Sequence, residues 1–151
     1  MRFAELHLIR YGRFDDCRLV FPRGDHDLQL IVGPNEAGKS TTLEAVSDLL
    51  FGFEPRTKFA FRFPQPQLRV GALTEAPDGP LEVRRRKGNV DTLLNFADQP
   101  VDGARLTAAL AGQTRESFKR MFGLDHARLR AGGQAILAAT DDVGAAIFSA
   151  G

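Results

Sequence analysis

The sequence predicts an α/β fold, and three observations predict it. The stretch Gly33-Pro34-Asn35-Glu36-Ala37-Gly38-Lys39-Ser40-Thr41 fits the pattern G-x-x-x-x-G-K-[ST]. The apolar run Leu28-Gln29-Leu30-Ile31-Val32 leads into it, and apolar residues at helical spacing follow it. Further on, three strand-like segments alternate with tight turns before the chain becomes helical.

Phe3 to Arg10 sets Phe3, Leu6 and Leu8 among Glu5, His7 and Arg10, the pattern of a half-buried strand. Tyr11 to Asp16 reads as a turn punctuated by Gly12. Arg18 to Phe21 reads as a second strand, stopped by Pro22-Arg23-Gly24-Asp25. Residues 28–32 form the third, mostly buried strand of this reading. A small-molecule kinase with this loop usually places it after its first strand, so two strands ahead of it are informative.

Each residue type in 33–41 has a physical task. Gly33 and Gly38 permit backbone angles and close approach that a Cβ would block. Successive N–H groups then face one concavity that suits an anion. Lys39 supplies a point charge for β- and γ-phosphates, and the Ser40 hydroxyl is the Mg²⁺ ligand. Ser40 to Leu50 reads as a helix with Leu43, Val46 and Leu50 at core spacing and Gly52 as its stop. The positive end of that helix faces the phosphates.

Residues 51–63 are rich in Phe, Arg, Lys and Pro, and Pro55, Pro64 and Pro66 oppose regular structure here. Phe53, Phe59, Phe61 and Phe63 fit either a core or an exposed apolar surface awaiting a partner. Leu68 to Leu73, Leu81 to Lys87 and Val90 to Phe96 read as an antiparallel meander, joined by Pro77-Asp78-Gly79-Pro80 and Lys87-Gly88-Asn89. Leu81, Val83 and Arg85 share one face of the middle strand. The basic run Arg84-Arg85-Arg86-Lys87 has two readings, a solvated hairpin tip that discourages edge pairing or a contact with DNA phosphates. Four charges at a turn are a small electrostatic footprint, which favours the first.

From Pro100 the pattern is helical. Asp102 is placed to cap a helix to Leu110, and Thr114 a second that carries Phe118 and Met121 on one face. After Gly132-Gly133, residues 134–139 and 141–150 read as Ala-rich helix, with Thr140 as cap and Asp141 and Asp142 in the second helix's first turn. Two stretches mimic catalytic motifs. Arg130-Ala131-Gly132-Gly133-Gln134 echoes an L-S-G-G-Q signature, and residues 136–142 echo a Walker B strand ending in an acidic pair. The spacing leaves no room for the helix that separates those motifs, and the Ala-rich run is a good helix and a poor strand. Hydrolysis at such a loop needs a carboxylate near Mg²⁺ and a group that positions water. The sequence offers neither on a credible strand, so no catalytic residue is assigned and the chain reads as a nucleotide-binding half-site.

Composition sets the outer bounds. The 151 residues are 43% hydrophobic and 26% charged with net charge +1, an ordinary globular balance that neither requires nor excludes nucleic acid. No apolar run reaches the length of a membrane span, and Glu5, His7 and Arg10 interrupt any signal-peptide core. Cys17 has no second cysteine to pair with, so it reads as an inert packed thiol. His7, His26 and His126 show no metal-ligand spacing.

The opening Met1-Arg2-Phe3-Ala4-Glu5-Leu6-His7-Leu8 with Tyr11-Gly12-Arg13-Phe14, and a loop written Gly-Pro-Asn-Glu-Ala-Gly-Lys-Ser-Thr, resemble SMC-like ATPases. Phe51-Gly52-Phe53, Phe122-Gly123-Leu124-Asp125-His126 and the tail from Gly132-Gly133 to Phe148 resemble the YhaN type, relatives of SbcC and RecF. The resemblance covers nearly the whole chain. It implies a P-loop NTPase fold, specifically an ABC-ATPase-like N-terminal lobe, with a mixed core sheet, the antiparallel meander over about 68–96 and helices over about 102–150. It implies that a C-terminal lobe and a coiled coil are missing, and that 1–151 is a fragment of a longer protein. It implies ATP and Mg²⁺ as ligands, and a second head, DNA and a nuclease subunit as partners, in the cytoplasm at the nucleoid. Carried over by position, Gly33, Pro34, Asn35, Glu36, Ala37, Gly38, Lys39, Ser40 and Thr41 contact the nucleotide or Mg²⁺, with Arg13 beside them. The family's Mg²⁺-sensing glutamine falls near residues 124–126, where Asp125 or His126 stands instead. A stand-alone kinase or NTPase and an interaction module with a degenerate loop are the competing readings. The first lacks a Walker B strand, and intact Lys39 and Ser40 oppose the second. A half-site of this kind leaves apolar surface exposed, so self-association is expected.

Overall fold

The computed structural model describes residues 1–123, Arg130 and Gln134. Expectations for Leu124, Asp125 and His126, for the tail helices, and for Asp141 and Asp142 lie outside the described residues. The chain divides into two compact units, Met1–Arg115 and Glu116–Gly151. In the second, helix α3 (Arg115–Met121, whose first residue belongs to the first unit) places the Phe118 and Phe122 rings 5.4 Å apart.

The first unit is built on a five-stranded sheet of β1 (Arg2–Tyr11), β2 (Phe14–Val20), β3 (Arg69–Ala76), β4 (Gly79–Arg86) and β5 (Leu93–Leu94). Its spatial order is β2-β1-β3-β4-β5, and every neighbouring pair is antiparallel. Alternation decides which face is buried. Leu6 of β1 pairs with Ala72 of β3, which pairs with Val83 of β4, so three buried side chains line up across the sheet. Thr74 and Leu81 form the next buried row, and the Thr74 hydroxyl is satisfied by the Leu81 carbonyl at 3.2 Å. Helix α1 (Lys39–Phe51) packs against β1, β3 and β4 and adds Ala45, Leu49 and Leu50 to the core. A 3₁₀ turn at Gln65–Gln67 leads into β3, and a short helix α2 (Ala104–Leu110) follows the sheet, with Ala104 N–H donating to the Asp102 carboxylate at 3.0 Å.

Three expectations are corrected. Residues 28–32 are not a strand and are not buried: Leu28, Leu30 and Val32 are 74%, 78% and 89% exposed. The sheet is accordingly antiparallel throughout, not mixed. The physical reason is that a strand needs a neighbour for its backbone groups, and β1, β3 and β4 already have partners on both sides. Leu43, placed in the core by spacing, is 36% exposed, because α1 turns Thr42, Ala45 and Leu49 to the sheet instead. Leu43 and Val46 line an apolar cavity of about 340 Å³ with Phe3, Leu6, Phe21 and Ile31. The last strand of the meander shrinks from 90–96 to Leu93–Leu94. Asn95 to Gln99 fold into a turn in which the Asn95 side-chain oxygen accepts from the N–H groups of Ala97 and Gln99 at 2.9 and 3.0 Å.

Candidate nucleotide-binding site

The site is assembled at the N-terminus of α1, where the first turn of a helix leaves backbone donors unpaired. The chain reaches that turn through two residues with left-handed backbone, Glu36 at φ 66° and Gly38 at φ 102°. Gly38 is fixed by sterics as well as by φ. A Cβ there would lie 2.4 Å from Cζ of Phe14, so the Phe14 ring occupies the space that a side chain would need. Behind the loop, Thr42 N–H and the Thr42 hydroxyl both donate to the Gly38 carbonyl, at 2.8 and 3.1 Å. Lys39 Nζ folds over the loop and donates to the carbonyls of Gly33 and Pro34, at 2.7 and 2.8 Å. This puts one positive charge in the loop's concavity on weakly held neutral acceptors, from which it can move to a phosphate oxygen.

The β1–β2 turn closes the site from the other side. Tyr11 and Phe14 pair directly, so Gly12 and Arg13 form its tip. Arg13 Nη1 donates to the Glu36 carbonyl at 2.5 Å and so braces the crest of the loop. Arg62 in turn donates to the Arg13 carbonyl at 2.6 Å and to Asp15 at 3.2 Å. Between loop and turn lies an open cavity of about 390 Å³, lined by Arg13, Asn35, Glu36, Gly38, Lys39, Ser40, Thr41 and Phe61. The exposed Ser40 hydroxyl is on that lining. The structure thus brings together Asn35, Glu36, Gly38, Lys39, Ser40, Thr41 and Arg13 as the sequence places them. Gly33 and Pro34 take part through the carbonyls that hold Lys39, and the half-buried Ala37 anchors the turn through its N–H to the Pro34 carbonyl, 3.2 Å. Sequence reasoning did not reach Phe14, Phe61 or Arg62, since no spacing rule connects them to residues 33–41.

The far end of α1 is closed. The Tyr11 hydroxyl donates to Asp48 Oδ2 at 2.7 Å, and Arg115 Nη1 donates to Asp48 Oδ1 at 3.0 Å and to the Ser47 hydroxyl at 3.2 Å. Arg85 donates to the terminal carbonyls of Leu49 and Leu50 at 3.0 and 3.2 Å, and Arg115 reaches that of Gly52. Burial pushes the Asp48 carboxyl up from its ordinary value, while its hydrogen bonds from Tyr11 and Arg115 pull it back. Burial, and then the Asp48 charge, pushes the Tyr11 phenol far above its ordinary range. Arg85 is lowered by burial and by the neighbouring Arg115 charge.

The basic run is drawn inward. Beyond Arg85, Arg84 donates to Asp98 at 2.9 Å and lies over the Phe96 ring, and Arg86 donates to the carbonyls of Asp91 and Val90, at 3.1 Å each. These three guanidinium groups brace β4, α1 and the following turn. Among the described residues no group of three or more His, Cys, Asp or Glu is gathered that could hold a metal, and no helix is long and apolar enough to cross a membrane. His7 pairs with Asp16 at 2.7 Å.

Residues 1–151 match the family described as an AAA domain. The chain belongs to that family. The AAA domain is also similar to the uncharacterized protein YhaN of Bacillus subtilis (strain 168), with 29% identity over 130 residues. The match covers 83% of this chain and 13% of that relative, so the domain spans about an eighth of the relative's length. Both findings bear out the resemblance to the N-terminal region of an SMC-like, YhaN-type ATPase.

Proposed function

We propose that this AAA domain is the ATP-binding N-terminal half of an SMC-like ATPase head, and that hydrolysis requires a C-terminal lobe and a second head. The observation that carries the reading is the cradle at the start of α1, with left-handed Gly38 pressed under Phe14 and Lys39 over the loop carbonyls. That cradle fits a triphosphate: it has room for no side chain at Gly38, and unpaired helix N–H groups and one ammonium converge on it. Lys39 exchanges its two carbonyl partners for phosphate oxygens, and backbone N–H groups at the start of α1 hold the remaining charge. Ser40, exposed on the lining, would hold Mg²⁺, which would supply charge neutralisation to the phosphates. Arg13 keeps the crest of the loop in place and adds a positive charge at the rim.

The exposed segment 28–32 supports the half-site reading. An exposed apolar segment with no place in its own sheet is surface for a partner to cover, here the C-terminal lobe. In the complete protein we place the domain in DNA repair or chromosome maintenance, with DNA and a nuclease subunit as partners. The internally engaged Arg84, Arg85 and Arg86 are not assigned to that DNA contact.

Calorimetric titration of ATP with Mg²⁺ into the chain and into Lys39→Ala, with phosphate release followed in parallel, tests the proposal. Binding by the parent that is lost in the variant, with no release above background, is the expected result. Robust turnover by this chain alone would overturn the half-site reading, and absence of binding would overturn nucleotide recognition by the isolated domain.

A further inference from the structure

We infer that Phe61 is the nucleoside platform of the site, a ring on which the base of the bound nucleotide stacks. The inference rests on the nucleotide reading above and adds the part of the ligand that the loop does not recognise. Residues 33–41 offer an anion cradle, which handles phosphates and nothing else. The rest of the cavity lining is Arg13 and the ring of Phe61.

The Phe61 side chain is 71% exposed, whereas Phe53, Phe59 and Phe63 of the same segment are half-buried. Phe59 stacks on the buried Tyr11 ring at 4.8 Å and 27°, and Phe53 tilts against it at 5.9 Å. An exposed phenyl ring on a loose loop would mean little, but this one is held on both sides. The Phe59 carbonyl accepts from Gly12 N–H at 3.0 Å, and Arg62 donates to the Arg13 carbonyl at 2.6 Å and to Asp15. The Phe59 backbone on one side of Phe61 and the Arg62 side chain on the other are therefore tied to the same β1–β2 turn that braces the phosphate loop. Gly12 makes the approach possible. A Cβ there would meet Thr41 Cγ2 at 3.0 Å, the Phe59 ring at 3.5 Å and Cε1 of Phe61 at 3.7 Å, so the ring sits against the turn and near the first helical residues. Packing explains Phe59; it does not explain why the next aromatic is turned out into the cavity that holds Lys39 and Ser40.

An apolar face fixed beside a cationic phosphate cradle is matched by a ligand with a flat π-surface at one end and phosphates at the other. Stacking uses the face of a base and tolerates its identity, because each base has one. The site therefore takes purine nucleotides with little preference between adenine and guanine, and takes them better than a bare phosphate chain.

The chain contains no tryptophan, so Phe61→Trp introduces a single indole reporter. Titrating that variant with MgATP, MgGTP and magnesium tripolyphosphate should quench emission with both nucleotides and not with tripolyphosphate. Phe61→Ala should weaken MgATP about tenfold and leave tripolyphosphate binding unchanged, while Phe61→Tyr keeps the parent affinity. Unchanged MgATP affinity in Phe61→Ala, or equal quenching by tripolyphosphate, would overturn the platform and leave the phosphate site standing. A parent chain that binds neither MgATP nor tripolyphosphate would overturn the nucleotide reading and the platform with it.

Discussion

At its first turn α1 opens Lys39 and Ser40 to solvent and is reached through two left-handed residues; at its last it buries Asp48 under Tyr11 and Arg115 and gives its carbonyls to Arg85 and Arg115. Both ends face the same electrostatic problem, since a helix carries partial positive charge at its start and negative charge at its end. At the C-terminal end the problem is solved internally, by two guanidinium groups and a shielded carboxylate. At the N-terminal end the first turn, with Lys39 and Ser40, stays open to solvent, where the proposed nucleotide would sit. The same helix thus separates a part that holds the fold from a part that acts, and substitutions at the two ends should separate stability from binding.

The largest effect belongs to the closed end. Arg115→Ala takes the guanidinium partner away from the buried Asp48 and leaves it the Tyr11 hydroxyl, and should destabilise the chain by about 3 kcal/mol in denaturant unfolding. A loss under about 0.5 kcal/mol would mean that this end is not a clamp. Next comes Gly38→Ala at the open end, where left-handed φ and the Phe14 contact together should cost about 1–3 kcal/mol and abolish nucleotide binding. Adding Phe14→Leu should recover part of the stability; if it recovers none, the clash is not the cause.

The pH dependence sharpens the contrast further. Tyr11 is the only tyrosine, and its phenol ionises near 10.0 when unfolded but much higher when folded. Above pH 10 the folded state therefore holds a proton that the unfolded state has lost. The contribution is full below that pH and falls as pH rises, by about 1.4 kcal/mol per unit. Tyrosinate absorbance should accordingly appear together with loss of helical circular dichroism, not before it. An early titration of the folded chain would show the Tyr11–Asp48 contact to be open to water.

The smallest stability effects are expected where the chain is exposed. Lys39→Ala should change unfolding free energy by less than about 0.5 kcal/mol while removing ATP binding, because Nζ gives up only solvent-exposed hydrogen bonds. Leu30→Ser should be similarly neutral for folding and should reduce self-association of the chain in light scattering. If Leu30→Ser unfolds the protein instead, residues 28–32 are part of its core.

Local rules accounted for much of this domain. Alternation in residues 3–10, the turn residues at 77–80 and the loop pattern at 33–41 each carry their own structural instruction, and β1, the β3–β4 hairpin and the left-handed loop ahead of α1 follow from them. The run 28–32 misled because apolarity signals a wish for burial and not the presence of a partner; pairing is a property of neighbours that these residues do not contain. Arg84, Arg85 and Arg86 look alike in sequence, yet tertiary structure sent them to Asp98, to the end of α1 and to the turn at 90–91, since β4 points alternate side chains to opposite faces.

What the sequence determined alone was the loop at 33–41 and the helix it opens, because glycine conformational freedom, a lysine and a hydroxyl at fixed spacing act within a few residues of one another. What only the tertiary structure decided was which aromatic packs under Tyr11 and which faces the cavity at the start of α1, and which carbonyl or carboxylate each arginine braces. Those choices depend on contacts between residues 11–15, 36–48, 59–62 and 115, and distance along the chain carries no record of them.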